Sequence, residues 1–383
     1  MTDSRVAVAL QREYDADGIA KAIAAQFAAL GIGASFFEGK KVTIKPNLVV
    51  KKSPDRAATV HPAVLEGLLK VLSALGVSPV IAESPGGVYS RARLEGIYRV
   101  CGIADVAEKY GATLNFDTGA RRIEADGKLV KSFNVIAPVA DADVVIDLCK
   151  LKAHSLTTMS AAVKNFFGVI PGIEKFEMHA AYPDYDDFNR MLCDLCEAIC
   201  KKKKVIAITD AVVGMEGNGP TAGSPREIGY LLASLDPFVS DLLCERILGF
   251  EGKVPSVREA ISRGLCPGSA DGIEVLGALP APVEEFAFPD TKKEDAAGLL
   301  TFFSQGAVGK LFMPRPKITS DCRGCGECVR SCPQKTISLV DGRAEINYGK
   351  CIKCFCCQEL CPFEAIKIKR NPITRLIGKM GRS

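Results

Sequence analysis

Along the first 276 residues, short apolar runs alternate with stretches whose apolar positions recur every three or four residues. Arg5–Leu10 is the first such run, and the Ala-rich stretch Asp17–Leu30 predicts the helix after it. Lys41–Lys45 predicts a second strand, ending in Pro46-Asn47. His61-Pro62 opens a helix, because proline's fixed φ suits the first helical position. Val64, Leu68, Val71, Leu72 and Leu75 then keep helical spacing. Val77–Ala82, Asp143–Leu148 and Val205–Thr209 predict further strands, each running into a polar or glycine-containing loop. Tyr230–Ser234 adds another, leading through Asp236-Pro237 into a helix. Strands separated by helices of ten or more residues imply βαβ units, hence an α/β domain with a mostly parallel sheet and helices on both faces.

In such sheets ligands collect beyond the carboxyl ends of the strands. That places Lys45, Asn47, Glu83, Asp147, Lys150, Lys152 and Asp210 around one expected cleft. Between Leu148 and Gly172 the polar residues are mostly cationic: Lys150, Lys152, His154, Lys164 and Asn165 interrupt otherwise apolar sequence. Such a set suits a carboxylate or phosphate on a small anionic ligand. The same residues also fit a blander role, as solvated lysines and a structural histidine. If the cleft is catalytic, His154 is the expected acid/base near neutral pH. Lys164 and Lys152 would hold the anion, with Lys45, Asn47 and Asn165 beside them, and Asp210 would place a cation or hydroxyl.

The glycine-rich segment Gly214–Gly223 allows close backbone approach to a ligand. It lacks the lysine and hydroxyl ending of a phosphate loop, and reads as a substrate loop or as a tight connection. Ser84-Pro85-Gly86-Gly87 forms no dinucleotide fingerprint, and no nicotinamide or flavin motif is found.

The pattern breaks at residues 277–315, where Pro280, Pro282, Pro289 and Pro314 fall in a connector with one short helix expected near Ala296–Phe303. A small module follows over 316–370, then a basic tail over 371–383. Arg375, Lys379 and Arg382 alternate there with Ile373, Leu376, Ile377 and Met380. That mixture has the chemistry to touch an anionic membrane peripherally or a redox partner, or simply to fray.

Composition narrows the class. Of 383 residues, 48% are hydrophobic and 25% charged, which describes an ordinary globular chain. A formal charge of +4 is too small to argue for nucleic acid. The first residues carry one five-residue apolar stretch, short of a signal-peptide core, and no run approaches the roughly 20 apolar residues that span a bilayer. A cytoplasmic location with reduced thiols is expected. The 16 cysteines are the outlier.

Cys322, Cys325, Cys328 and Cys332 form C-x2-C-x2-C-x3-C before Pro333. Cys351, Cys354, Cys357 and Cys361 repeat the spacing 29 residues later, before Pro362, and Thr336-Ile337 matches Ala365-Ile366. The module is internally duplicated. Three cysteines on a tight loop wrap one cubane, and the fourth, before proline, ligates the other. Two 4Fe-4S clusters are expected, one on Cys322, Cys325, Cys328 and Cys361, the other on Cys351, Cys354, Cys357 and Cys332. Zinc knuckles would want two separated pairs per metal. Cys356 is a ninth cysteine, read as a spare thiol beside the cluster. Eight thiolates and two oxidised cores bring the formal charge from +4 to about zero.

Cys193, Cys196 and Cys200 share a helical stripe with Leu192, Leu195 and Ile199 and read as buried core. Cys101, Cys149, Cys244 and Cys266 are isolated.

Residues 316–370 resemble the bacterial two-cluster ferredoxins, which implies a small α+β domain and one-electron transfer at low potential. Lys45-Pro46-Asn47, the stretch Lys152–Asn165 with Phe167-Gly168-Val169-Ile170-Pro171-Gly172, and Met215-Glu216-Gly217-Asn218-Gly219-Pro220 resemble the family catalogued as domain of unknown function 362. Its members are often followed by such a module. His154, Lys164 and His179 also resemble, in spacing, the residues of nickel-pincer lactate racemases; Glu83–Gly87 stands where those enzymes carry a glycine-threonine-histidine element.

The expectation is an iron–sulfur electron-transfer protein, relaying electrons to or from a ligand or redox partner protein bound at the α/β domain. A non-catalytic carrier or assembly protein is the alternative, and a metal-dependent isomerase a further one.

Overall fold

The computed structural model describes residues 3–291 and 314–369. The helix expected near Ala296–Phe303 and the basic tail 371–383, with its expected membrane contact, lie outside these residues.

The large domain carries strands β1 (Arg5–Leu10), β2 (Val42–Pro46), β3 (Val80–Ile81), β4 (Thr113–Leu114), β5 (Ala120–Glu124), β6 (Ser132–Ile136), β7 (Val144–His154), β8 (Thr158–Ser160), β9 (Lys204–Glu216), β10 (Ser224–Ser234) and β11 (Glu274–Gly277). Nine of them form one sheet in the order β11-β1-β10-β9-β7-β2-β3-β4, with β8 paired to β7; β5 and β6 form a separate hairpin. From β9 through β7 and β2 to β4 every pair is parallel, and so is β1 with β11. β10 runs antiparallel to both its neighbours, so the sheet is mixed but mostly parallel.

The two sides of the sheet bury two cores, and strand alternation assigns residues to each. Val145, Val205, Ala207 and Leu232 pack with the helices Tyr185–Lys202, Pro237–Ile247 and Pro255–Ser262. Val144, Ile146, Ile206, Ile208 and Leu231 pack on the other side with Ala16–Leu30, Pro62–Ala74 and Arg91–Val100. Helices therefore cover both faces. Five of these six helices start on a side-chain cap. The Asp15 carboxylate accepts from Gly18 N at 2.8 Å, His61 Nδ1 accepts from Ala63 N at 3.2 Å, and Asp236 accepts from Phe238 N at 2.8 Å.

Strand lengths depart from what hydrophobic patterning predicts. β7 continues from the expected end at Leu148 to His154, and β9 from Thr209 to Glu216. The polar residues there are not loop residues: Lys150 is the ladder neighbour of Asp210, and each satisfies the other inside the protein. The glycine-rich segment accordingly begins as strand, and only residues 217–223 form the connection to antiparallel β10. β3 is shorter than the expected Val77–Ala82, since Pro79 has no N–H to give a ladder.

The small domain pairs β12 (Arg315–Ile318) with β15 (Ile366–Lys369), and β13 (Ile337–Val340) with β14 (Arg343–Ile346). The second hairpin turns at Asp341-Gly342, both with positive φ, as a two-residue turn of matching twist requires. This α+β module sits against the large domain. Glu364 meets Lys52 at 2.6 Å and Arg56 at 3.0 Å, and Glu327 meets Arg93 at 3.1 Å. Thr221 Oγ1 donates to Glu359 O at 3.0 Å, and Gln358 Nε2 to Asn218 O at 3.2 Å. No helix among the described residues is long and apolar enough to cross a membrane.

Candidate functional site

A cavity open to solvent lies between the two domains, at the carboxyl ends of β2 and β7. Its large-domain wall includes Lys45, Asn47, Lys152, His154, Lys164 and Asn165. Cys356, Glu359 and Leu360 of the module close the opposite side.

Three of its lysines are held by the protein itself. Lys45 Nζ donates to Glu83 Oε2 at 2.9 Å and to Asn165 Oδ1 at 2.7 Å. Lys152 Nζ donates to Asn47 Oδ1 at 2.7 Å and to Ala58 O at 2.5 Å. Lys175 Nζ donates to Ser84 O at 2.6 Å, to Ser84 Oγ at 3.1 Å and to Ile170 O. Asn165 ties the set together, accepting from Asn47 Nδ2 at 3.0 Å and donating to Asp147 Oδ1 at 2.6 Å. Gly168 permits this convergence, because a Cβ there would lie 2.4 Å from Lys45 Nζ and 2.5 Å from Glu83 Oε1.

Lys164 differs from the other three. Among the described residues it makes no hydrogen bond or ion pair, and its Nζ lies 4.9 Å from the Phe167 ring centroid. Burial lowers its affinity for a proton, and Glu359 across the cavity works against that. Burial brings both Lys152 and Lys175 down to about 7. It also pushes His179 down to about 3, leaving a neutral ring stacked on Phe188 with centroids 4.5 Å apart. His154 Nδ1 accepts from the N–H groups of Leu156 and Thr157 at 3.1 and 3.3 Å, which places the neutral ring's proton on Nε2. Asp147 is buried beneath the network, and desolvation raises its carboxyl well above the usual range, against the pull of Lys45 and the Asn165 hydrogen bond.

Asp210 is not part of this cavity. It pairs with Lys150 at 2.9 Å, accepts from Tyr14 Oη at 3.0 Å and from His61 N at 3.0 Å. Lys150 and Asp210, expected in the same cleft, pair with each other and line no part of it. Lys175 was missing from the sequence-derived set. Its spacing from His179, i to i+4 on the helix Glu174–Ala181, was the available signal. Glu359 and Leu360 carry no local signal at all, since only the docking of the module brings them in.

The eight module cysteines line two smaller cavities. One holds Cys322, Cys325, Cys328 and Cys361, the other Cys332, Cys351, Cys354 and Cys357. Each set takes its fourth cysteine from the other repeat. Ala365 N donates to Cys361 Sγ at 3.3 Å, and Thr336 N to Cys332 Sγ at 3.3 Å, the same bond at equivalent positions. Gly324 and Gly326 have positive φ; in the second repeat Lys353 and Phe355 adopt it instead. Four thiols around an apolar hollow, with N–H groups aimed at sulfur, fit a cubane cluster. Cys356 belongs to neither set and lines the interdomain cavity. Cys193 and Cys196 are sealed in the core and Cys200 lies partly exposed beside them.

A family model described as a domain of unknown function, DUF362, matches residues 42–246. The chain belongs to this family. A second model, a 4Fe-4S dicluster domain, matches residues 317–362, so this DUF362 domain is fused to an iron–sulfur electron-transfer module. A thylakoid-associated protein of Synechocystis sp. is 30% identical over 70% of this chain and 81% of its own length. Pyruvate synthase subunit PorD of Methanothermobacter marburgensis is 37% identical over 25% of this chain and 99% of its own. One component of the ion-translocating oxidoreductase complex of Methanosarcina acetivorans is 38% identical over 12% of this chain and 18% of its own. Among solved structures, the lactate racemase apoprotein from Thermoanaerobacterium thermosaccharolyticum aligns over 65% of this chain and 58% of its own, at 12% identity and a TM-score of 0.38.

Proposed function

We propose that this DUF362 protein is an iron–sulfur oxidoreductase that exchanges electrons with a small organic anion bound between its two domains. The observation that carries the reading is the composition of the cavity wall. Lysines of the α/β domain and residues adjoining the cluster cysteines of the module line one space. Two 4Fe-4S clusters would be held, the first by Cys322, Cys325, Cys328 and Cys361, the second by Cys351, Cys354, Cys357 and Cys332. When bound they supply one-electron transfer at low potential.

The chain's own residues do the rest. Lys164, the uncommitted cation, pairs with the anion's carboxylate or phosphate. Lys45, Asn47, Lys152 and Asn165 form the rigid floor that orients it. His154 holds a proton at Nε2 that can pass to a ligand gaining electrons. The module's short helix Cys356–Glu359 excludes water from that side. Sixteen thiols without a disulfide among the described residues fit a reducing compartment such as a cytoplasm. A redox partner protein would supply or remove the electrons.

The test is anaerobic. Reduced holoprotein is mixed with small carboxylates and phosphate esters, and cluster reoxidation is followed optically. One or more should accelerate it, and Lys164→Ala should abolish the acceleration while leaving the cluster spectrum intact. Equal rates with and without every anion refute the reading.

A second reading, a nickel-dependent isomerase, is favoured by one observation: His154, Lys164 and His179 line the same cavity. It requires the purified protein to carry nickel, and His179→Ala to lose it.

A further inference from the structure

The two cysteine sets have different surroundings. The set containing Cys354 and Cys357 is followed into the ligand cavity by Cys356 between them. The other set reaches solvent at Cys325, the one exposed cysteine of the eight. Beside Cys325 a second interdomain groove opens, and Cys361 of the same set also lines it.

This groove is cationic. Lys51, Lys52, Arg93 and Arg330 line it with one carboxylate, Glu327, while Glu364 outside the lining holds Lys52 at 2.6 Å. Glu327 is already shared between Arg93 at 3.1 Å and Arg330 at 2.9 Å. Lys51 is exposed and has no ion pair among the described residues. The Arg330 side chain is 62% exposed, and its guanidinium reaches Cys325 O at 3.3 Å. A cation is thus fixed at the backbone of the most accessible cluster cysteine.

We propose that the groove beside Cys325 is the docking port for an acidic one-electron carrier protein, set apart from the ligand cavity by Leu360, which lines both. The proposal rests on the relay reading above and adds its polarity: carrier, Cys325 set, Cys354 set, ligand. The exchange at the port moves one electron between carrier and module, with no bond made or broken and no proton transferred. The ammonium and guanidinium groups around Cys325 steer the acidic face, and the chain as a whole, near zero net charge with its clusters, does not. The attraction is therefore local and salt-sensitive.

The experiment uses the full-length holoprotein without any cavity ligand, so its outcome is independent of the Lys164→Ala test. Reduction by an acidic plant-type 2Fe-2S ferredoxin is timed by stopped flow at low and high salt. Lys51→Glu with Arg330→Glu should slow it by about tenfold or more at low salt, the scale of electrostatic steering. The same variant should exchange electrons faster than the native chain with a basic cytochrome c, an inversion that a damaged cluster would not produce. Rates with ferredoxin that ignore both salt and charge reversal would overturn the port, as would slowing with both proteins alike.

Discussion

Lys150 Nζ lies 2.9 Å from Asp210 Oδ2, and neither side chain reaches solvent. Tyr14 adds a bond to each, donating to Asp210 Oδ1 at 3.0 Å and accepting from Lys150 Nζ at 2.7 Å. The pair joins β7 to β9 and lines no part of the ligand cavity. Its work is structural. Removing one partner strands the other charge in the core, which costs about 3–5 kcal/mol. Asp210→Asn should therefore lower the thermal midpoint by several degrees without altering anion binding per folded molecule. Lys150→Met with Asp210→Leu should recover much of the loss. Unchanged melting in Asp210→Asn would show the pair to be dispensable.

Gly168 tests the packing of the cavity floor. A methyl group there meets Lys45 and Glu83 at under 3 Å, and both are buried and bonded. Overpacking of this kind costs about 1–3 kcal/mol. Gly168→Ala is expected to weaken binding of a small dicarboxylate such as malonate more than it weakens folding, as read by titration calorimetry beside thermal melting. Intact binding would mean that the lysine network yields easily.

Lys152 and Lys175 give the site a pH dependence with a definite sign. Burial holds each at about 7 when folded, against about 10.4 for a lysine in an unfolded chain. The unfolded state binds more protons between these values, so their contribution makes stability rise with pH from about 7 to about 10. An anion in the cavity favours the charged lysines, so its affinity should fall over that same window. Near pH 8, binding should draw protons from the buffer. Calorimetry in two buffers of different ionisation enthalpy measures that uptake, and Lys152→Met should reduce it. Proton release on binding is the contrary result.

Cys356 and Cys354 are two residues apart and have opposite expected phenotypes. Cys354→Ser removes a thiol from the second set and should lose iron, falling from about eight irons per chain. Cys356→Ser leaves both sets complete and should keep the full complement, with the effect confined to ligand-dependent reoxidation. Iron loss in Cys356→Ser would make it a ligand.

The periodic parts of the chain were legible. Helices starting at Ala16 and Pro62 and strands at Arg5 and Val42 follow from local spacing and caps, which act over a few residues. The eight-cysteine pattern was legible too, because a cluster imposes its spacing on consecutive residues. Polar strands were not. Lys150 looks like loop chemistry until Asp210, sixty residues away, supplies its counter-charge. Lys45 and Asp210 looked like cleft partners because both end apolar strands, and only distant partners separate them, Glu83 and Asn165 for the one, Lys150 and Tyr14 for the other. The wall formed by Glu359 and Leu360 depends on contacts such as Lys52 with Glu364, 312 residues apart, to which no local pattern refers.

The ligand cavity has a wall that a free-standing ferredoxin would not bring with it. Were the module exchanged for an unrelated carrier with the same eight cysteines, electron capacity would survive while the ligand's container stayed open on one side. The two halves of this chain are thus joined by more than a peptide linker. If the cavity holds the proposed anion, a change of ligand must be accommodated in both at once.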